Sequence, residues 1–122
     1  CNNQIKKGIN GVREAIEYIK KGFSIALMID QRVSEGEQID FFNKSALTTT
    51  LPAQLALKYN LSIIPVFIER TKENNFEITF HEEIKPTEFK SKTDLTAKLN
   101  KILELMIQKN PHQWIWTHNR WK

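Results

Sequence analysis

Acidic, amide, hydroxyl and basic side chains gather at a few points in the chain. Asp30-Gln31-Arg32 follows directly on the apolar run Phe23–Ile29. A carboxylate, an amide and a guanidinium at one lip could accept from and donate to the same polar ligand. An isolated Asp at such a place more often caps a turn. Thr48-Thr49-Thr50 precedes Leu51-Pro52, where a threonine cap and a first-turn proline are sound chemistry for starting a helix. The same helix start also offers free N–H groups to an anion such as phosphate. Arg70 closes a second apolar stretch and could face the same crevice, or form a surface ion pair of little worth.

Groups able to act as nucleophile or base are sparse. Cys1 is terminal. His81 lies beside Glu82 and Glu83, His112 follows Pro111, and His118 falls between Trp116 and Trp121 with Arg120 and Lys122 nearby. No glycine-rich phosphate loop, His-Glu-x-x-His or Gly-x-Ser-x-Gly pattern occurs. Spacing alone therefore yields no catalytic set. Trp114, Trp116 and Trp121, interleaved with basic side chains, fit three roles: closing a core, anchoring at a membrane interface, or stacking on nucleic acid. Taken alone, packing is the favoured reading.

The elements that must position these groups can be read from periodicity. Val12, Ala15, Ile16 and Ile19 are spaced for a helix over 12–21, ending at Gly22. Phe23–Ile29 has no alternation and predicts a strand covered on both faces, as in a parallel sheet. Residues 31–45 read as a long polar loop. A helix over 51–59 closes at Asn60. Ser62–Glu69 predicts a second buried strand, with Pro65 marking a bulge or a strand start. Phe76–Phe80 alternates strictly and predicts a half-wet strand antiparallel to its predecessor. Thr93 then caps a helix bearing Leu95, Leu99, Ile102, Leu103 and Met106 on one side, ended by Asn110-Pro111. This order predicts one α/β domain over 1–122 with a mostly parallel or mixed sheet flanked by helices.

Composition narrows the function classes. The 122 residues carry 18 Lys and Arg against 14 Asp and Glu, a net charge of +4, which suits a partner with negative charge. A single cysteine excludes an internal disulfide and a zinc-finger scaffold. The longest uninterrupted apolar run, Ile25–Ile29, is far short of the roughly 20 residues of a membrane-spanning helix. No signal peptide is recognisable. The first residue is Cys1, not Met, so the expectation is that a segment was removed ahead of it or that the stretch belongs to a longer chain.

Taken in order, several of these residues form a known series. Phe23 to Asp30-Gln31, Phe41-Phe42, Thr48-Thr49-Thr50 with Pro52 and Leu55-Ala56, and Ile64-Pro65-Val66 lead to the ending Asn110–Lys122. That ending reads Pro-x-Gln-Trp-x-Trp-x-His-x-Arg-Trp-Lys. The series resembles the C-terminal half of the late acyltransferases of lipid A biosynthesis, the lauroyl/myristoyl acyltransferase family of Gram-negative bacteria. The resemblance runs from about Gly8 to Lys122.

The resemblance implies a glycerolipid acyltransferase-like α/β fold, incomplete at its N-terminus, working at the cytoplasmic face of the inner membrane. It implies transfer of a fatty acyl chain from acyl carrier protein to a lipid A precursor, with no cofactor, no metal and no nucleic acid partner. Catalysis in the family rests on a His-x4-Asp/Glu motif, with the histidine as general base. That motif does not occur here: His81 leads to Pro86, His112 to Thr117, and His118 runs off the end. The isolated chain is therefore expected to lack activity. The resemblance marks Asp30 as an active-site wall, with Gln31, Thr48, Thr49, Thr50 and Arg70 as further substrate-binding candidates. His118, Arg120 and Trp121 match the terminal motif without an assigned role. Where relatives carry glycine after Phe-Phe, Asn43 stands here, the next best residue for a positive φ. Two alternatives stand beside this reading: a lipid- or peptide-binding module resembling a lipoprotein with Cys1 as its lipidated residue, and a decayed gene fragment without activity.

Overall fold

The computed structural model describes residues 4–6 and 8–121. Among these residues there are three α-helices: α1 (Ile9–Lys20), α2 (Leu51–Tyr59) and α3 (Lys92–Lys109). Four strands form two hairpins, β1 (Glu37–Phe41) with β2 (Lys44–Thr48), and β3 (Val66–Arg70) with β4 (Phe76–Phe80). The mixed α/β composition is as expected. Among the described residues both pairings are antiparallel, so the mostly parallel sheet is not found there.

Phe23–Ile29 accounts for part of that difference. The segment forms no ladder, and Phe23 is 55% and Met28 80% exposed. A buried strand needs partners on its edges to satisfy its backbone groups, and β3 has β4 as its ladder partner. Ile29 alone of the run packs against the main core.

The expected loop over 31–45 holds up to Gly36; from Glu37 the chain forms instead the β1–β2 hairpin, with Glu37 opposite Thr48 and Phe41 opposite Lys44. Its two-residue turn places Phe42 at φ 52° and Asn43 at φ 59°. Such double positive φ matches the right-handed strand twist, and Asn43 supplies the residue type suited to it. The turn lacks the glycine that usually announces a hairpin. Gly36 is required for close approach: a Cβ there would lie 2.7 Å from the Thr48 carbonyl oxygen.

Helix starts and stops follow local chemistry. Ser91, two residues before the expected Thr93, caps α3 by accepting from the Asp94 N–H at 3.1 Å. Asn60 closes α2 in the left-handed conformation, as its type suggests. Pro65 has no N–H to give, and β3 begins immediately after it.

Two apolar clusters share α3. Leu95 and Leu99 meet Ala53, Ala56 and Ile84, with Ile29, Ile63 and Phe89 against them. One end further on, Ile107 meets Phe41 and Ala46, with Leu103, Trp114 and Trp121. The β3–β4 hairpin buries little. Val66, Ile68, Phe76, Ile78 and Phe80 are 45–71% exposed, so both strands lie wetter than expected.

Candidate functional site

The β1–β2 hairpin and the aromatic tail build one site between them. Phe41 is fully buried, and Trp121 stacks on it at 5.6 Å between ring centroids. Trp114 meets Phe41 edge-on at 5.9 Å. The Trp121 indole N–H donates to the Phe41 carbonyl at 3.0 Å, so the tail is fixed by direction as well as by area. Trp116 remains half exposed, its indole N–H given to the Pro111 carbonyl.

Arg120 threads into this cluster and is fully buried. Its two terminal nitrogens donate to the Leu47 carbonyl and to Thr48 Oγ1, the latter at 2.8 Å. Its guanidinium carbon lies 5.2 Å from the centre of the Phe41 ring. Thr48 Oγ1 in turn donates to the Ala46 carbonyl at 3.0 Å. Burial pushes the Arg120 guanidinium below its ordinary value, and the negative charge of Asp30 works in the opposite direction.

Asp30, Gln31, Trp114, Ile115 and His118 line a cavity of about 100 Å³ beside these residues. Asp30 Oδ1 is buried there without a hydrogen-bond partner. The fold thus brings Asp30, Gln31 and His118 to one cavity, and Thr48, Arg120 and Trp121 to the adjoining hairpin. A carboxylate, an amide and an imidazole around so small a space can grip one hydroxyl or one phosphate oxygen.

Other candidates fall elsewhere. The Thr49 hydroxyl accepts from the Leu51 N–H at 3.3 Å and Thr50 Oγ1 accepts from Gln54 at 2.7 Å, so both serve the start of α2. Arg70 stands over the Phe76 ring, and its backbone exchanges hydrogen bonds with the Gln113 side chain at 2.8 and 2.9 Å. His81 lines a different groove, of about 620 Å³, between the β3–β4 hairpin and α3. Cys1 and Lys122 lie outside the described residues.

Two supporting residues went unnoticed in the sequence. Asn100, 1% exposed, donates through Nδ2 to the Asp40 carbonyl at 2.8 Å and to Thr48 Oγ1 at 3.4 Å. Glu104 accepts from the Phe42 N–H at 2.7 Å and from Lys101 at 2.9 Å. Their signal is a polar residue at the spacing of an apolar helix face, four positions apart on α3.

Among the described residues no group of three or more His, Cys, Asp or Glu side chains is placed to hold a metal ion. No described helix is long and apolar enough to cross a membrane. A search of the curated proteins finds no match to the chain. The family model described as bacterial lipid A biosynthesis acyltransferase matches residues 2–122.

Proposed function

Because the chain belongs to the bacterial lipid A biosynthesis acyltransferase family, we propose that it forms the C-terminal part of the domain that moves a fatty acyl chain from acyl carrier protein to a lipid A precursor. The convergence of Asp30, Gln31 and His118 on one cavity, backed by Thr48 and Arg120, is the observation that supports this reading. In it, Asp30 is the wall that accepts a hydrogen bond from the acceptor's polar end, and Gln31 is its donor neighbour. In this reading Thr49 and Thr50 would act as substrate ligands only when their hydroxyls leave the start of α2, whereas the exposed Arg70 guanidinium lies over the Phe76 ring. The net charge of +4 suits both an acidic carrier protein and anionic headgroups at the cytoplasmic face of the inner membrane.

General-base catalysis in this reading requires a His-x4-Asp/Glu pair, and none occurs in the sequence. The chain alone is therefore expected to give no acyl transfer. Incubating it with a radiolabelled acyl-carrier-protein thioester and a lipid A precursor checks this. Labelled product formed at the rate of an intact family member would overturn the inactivity. Binding of the precursor to the wild-type chain, weakened about tenfold or more by Asp30→Asn, is expected if Asp30 touches it.

A further inference from the structure

Strand β3 is paired along one edge by β4, with Phe67 opposite Thr79 and Glu69 opposite Glu77. The flanking bonds show which residues carry that ladder. His81 donates its N–H to the Pro65 carbonyl at 2.9 Å, and Thr71 donates to the Asn75 carbonyl at 2.8 Å. Hydrogen-bonded positions alternate along an antiparallel strand, so Pro65, Phe67, Glu69 and Thr71 turn their backbone groups toward β4. Ile63 turns the same way, exchanging bonds with Ile84 at 3.0 and 2.8 Å. The N–H and C=O groups of Ile64, Val66, Ile68 and Arg70 therefore point to the opposite edge. Pro65 lacks its N–H on the paired side, so it does not interrupt that edge.

Arg70 is already served there. The Gln113 side-chain amide accepts from its N–H at 2.8 Å and donates to its carbonyl at 2.9 Å, as a neighbouring strand would. Among the described residues Ile64, Val66 and Ile68 have no such partner on this side, and no backbone hydrogen bond joins Phe23–Ile29 to β3. The open edge thus runs from Ile64 to Ile68 and stops at Gln113. An edge of this kind is a template for a further strand.

We propose that this edge pairs with the same edge of a second copy of the chain, β3 against β3 in antiparallel, across a two-fold axis at Val66. Such a self-complementary contact brings Val66 opposite the partner's Val66 and Ile64 opposite the partner's Ile68. All are β-branched, 45–57% exposed, and suited to cross-strand packing. Charge selects the direction. In the antiparallel arrangement Glu69 meets the partner's Ile63 and Arg70 the partner's Ser62. A parallel pair in register would set Glu69 against Glu69 and Arg70 against Arg70, which is repulsive. Gln113 selects the register, because a two-fold axis at Ile68 would need the backbone groups of Arg70 that the amide holds. So short a ladder buries little surface, and the dimer is weak and governed by concentration.

Sedimentation velocity of the whole chain from about 1 μM to about 1 mM tests the pairing. The wild type is expected to pass from monomer to dimer across that range. Val66→Lys and Val66→Glu each set like charges face to face on the two-fold axis and are expected to weaken the dimer about tenfold or more. Mixed in equal amounts, the two variants bring opposite charges together and are expected to regain the dimer. Val66 is a half-exposed surface position, so neither change threatens the fold. Amide exchange gives a second reading without any variant. The Val66 and Ile68 N–H groups are expected to exchange more slowly as concentration rises, while that of Arg70, held by Gln113, keeps one rate. A wild type monomeric throughout, single variants that associate undiminished, or a mixture no tighter than its components would each overturn the proposal. Protection of Val66 and Ile68 independent of concentration would do the same, since it would put a segment of the same chain, such as Phe23–Ile29, on the edge.

Discussion

Asn100 sits on a face of α3 otherwise given to Leu99, Leu103 and Ile107. Its side chain spans from the helix to the backbone of β1 and the hydroxyl of Thr48. Replacing it with Ala leaves the Asp40 carbonyl without that donor and opens a small void. Asn100→Ala is expected to cost about 1–3 kcal/mol in urea unfolding. A loss below about 0.5 kcal/mol would mean that water replaces the contact without penalty. Asp30 and Gln31 stand out in the sequence because a polar group next to a long apolar run is conspicuous, and they share a cavity with His118. Thr49 and Thr50 turn to the start of α2 and Arg70 to the Phe76 ring, because adjacency in sequence says nothing of which way a hydroxyl or guanidinium turns. Asn100 and Glu104 were hidden for the opposite reason: on a charged helix surface, two buried polar positions look like solvated ones.

At the scale of elements, the helices and β4 were legible because their periodicity and caps agree. The β1–β2 hairpin was not, since a Phe-Asn turn lacks the usual glycine and its conformation rests on two positive φ values. Phe23–Ile29 forms no strand because apolarity reports only a preference for burial, and burial requires neighbours that the described residues do not supply beyond Ile29. The β3–β4 hairpin presents a related case. Val66 opposes Phe80 and Ile68 opposes Ile78, so one face carries a continuous set of large apolar side chains. Exposed sets of this kind promote association. The double substitution Ile68→Thr, Ile78→Thr keeps β-branching while removing apolar area. It is expected to reduce self-association in sedimentation velocity while shifting stability by no more than about 0.5 kcal/mol per site. Undiminished association would place the sticky surface elsewhere, with Phe23–Met28 next to be tested.

Across the whole molecule, α3 joins two apolar clusters that share few side chains. Its 18 residues extend for about 27 Å, enough to serve α2 at one end and the β1–β2 hairpin at the other. The two ends are therefore expected to loosen separately. Trp121→Ala removes a stacked ring and an indole hydrogen bond from the second cluster alone. Hydrogen exchange should quicken at the β1–β2 amides, while those of α2 keep their protection. Uniform loss of protection would mean that the clusters unfold as one unit. The distance between partners along the chain adds a constraint in time. Arg120 meets Leu47 across 73 positions, and Trp121 meets Phe41 across 80. At ribosomal speeds of about 5–20 residues per second, the hairpin would wait roughly 4–15 s for the arginine that holds it. During translation Phe41 and Ala46 have no tail to cover them. The hairpin's site can assemble only after the tail that supplies Arg120 and Trp121 has been made.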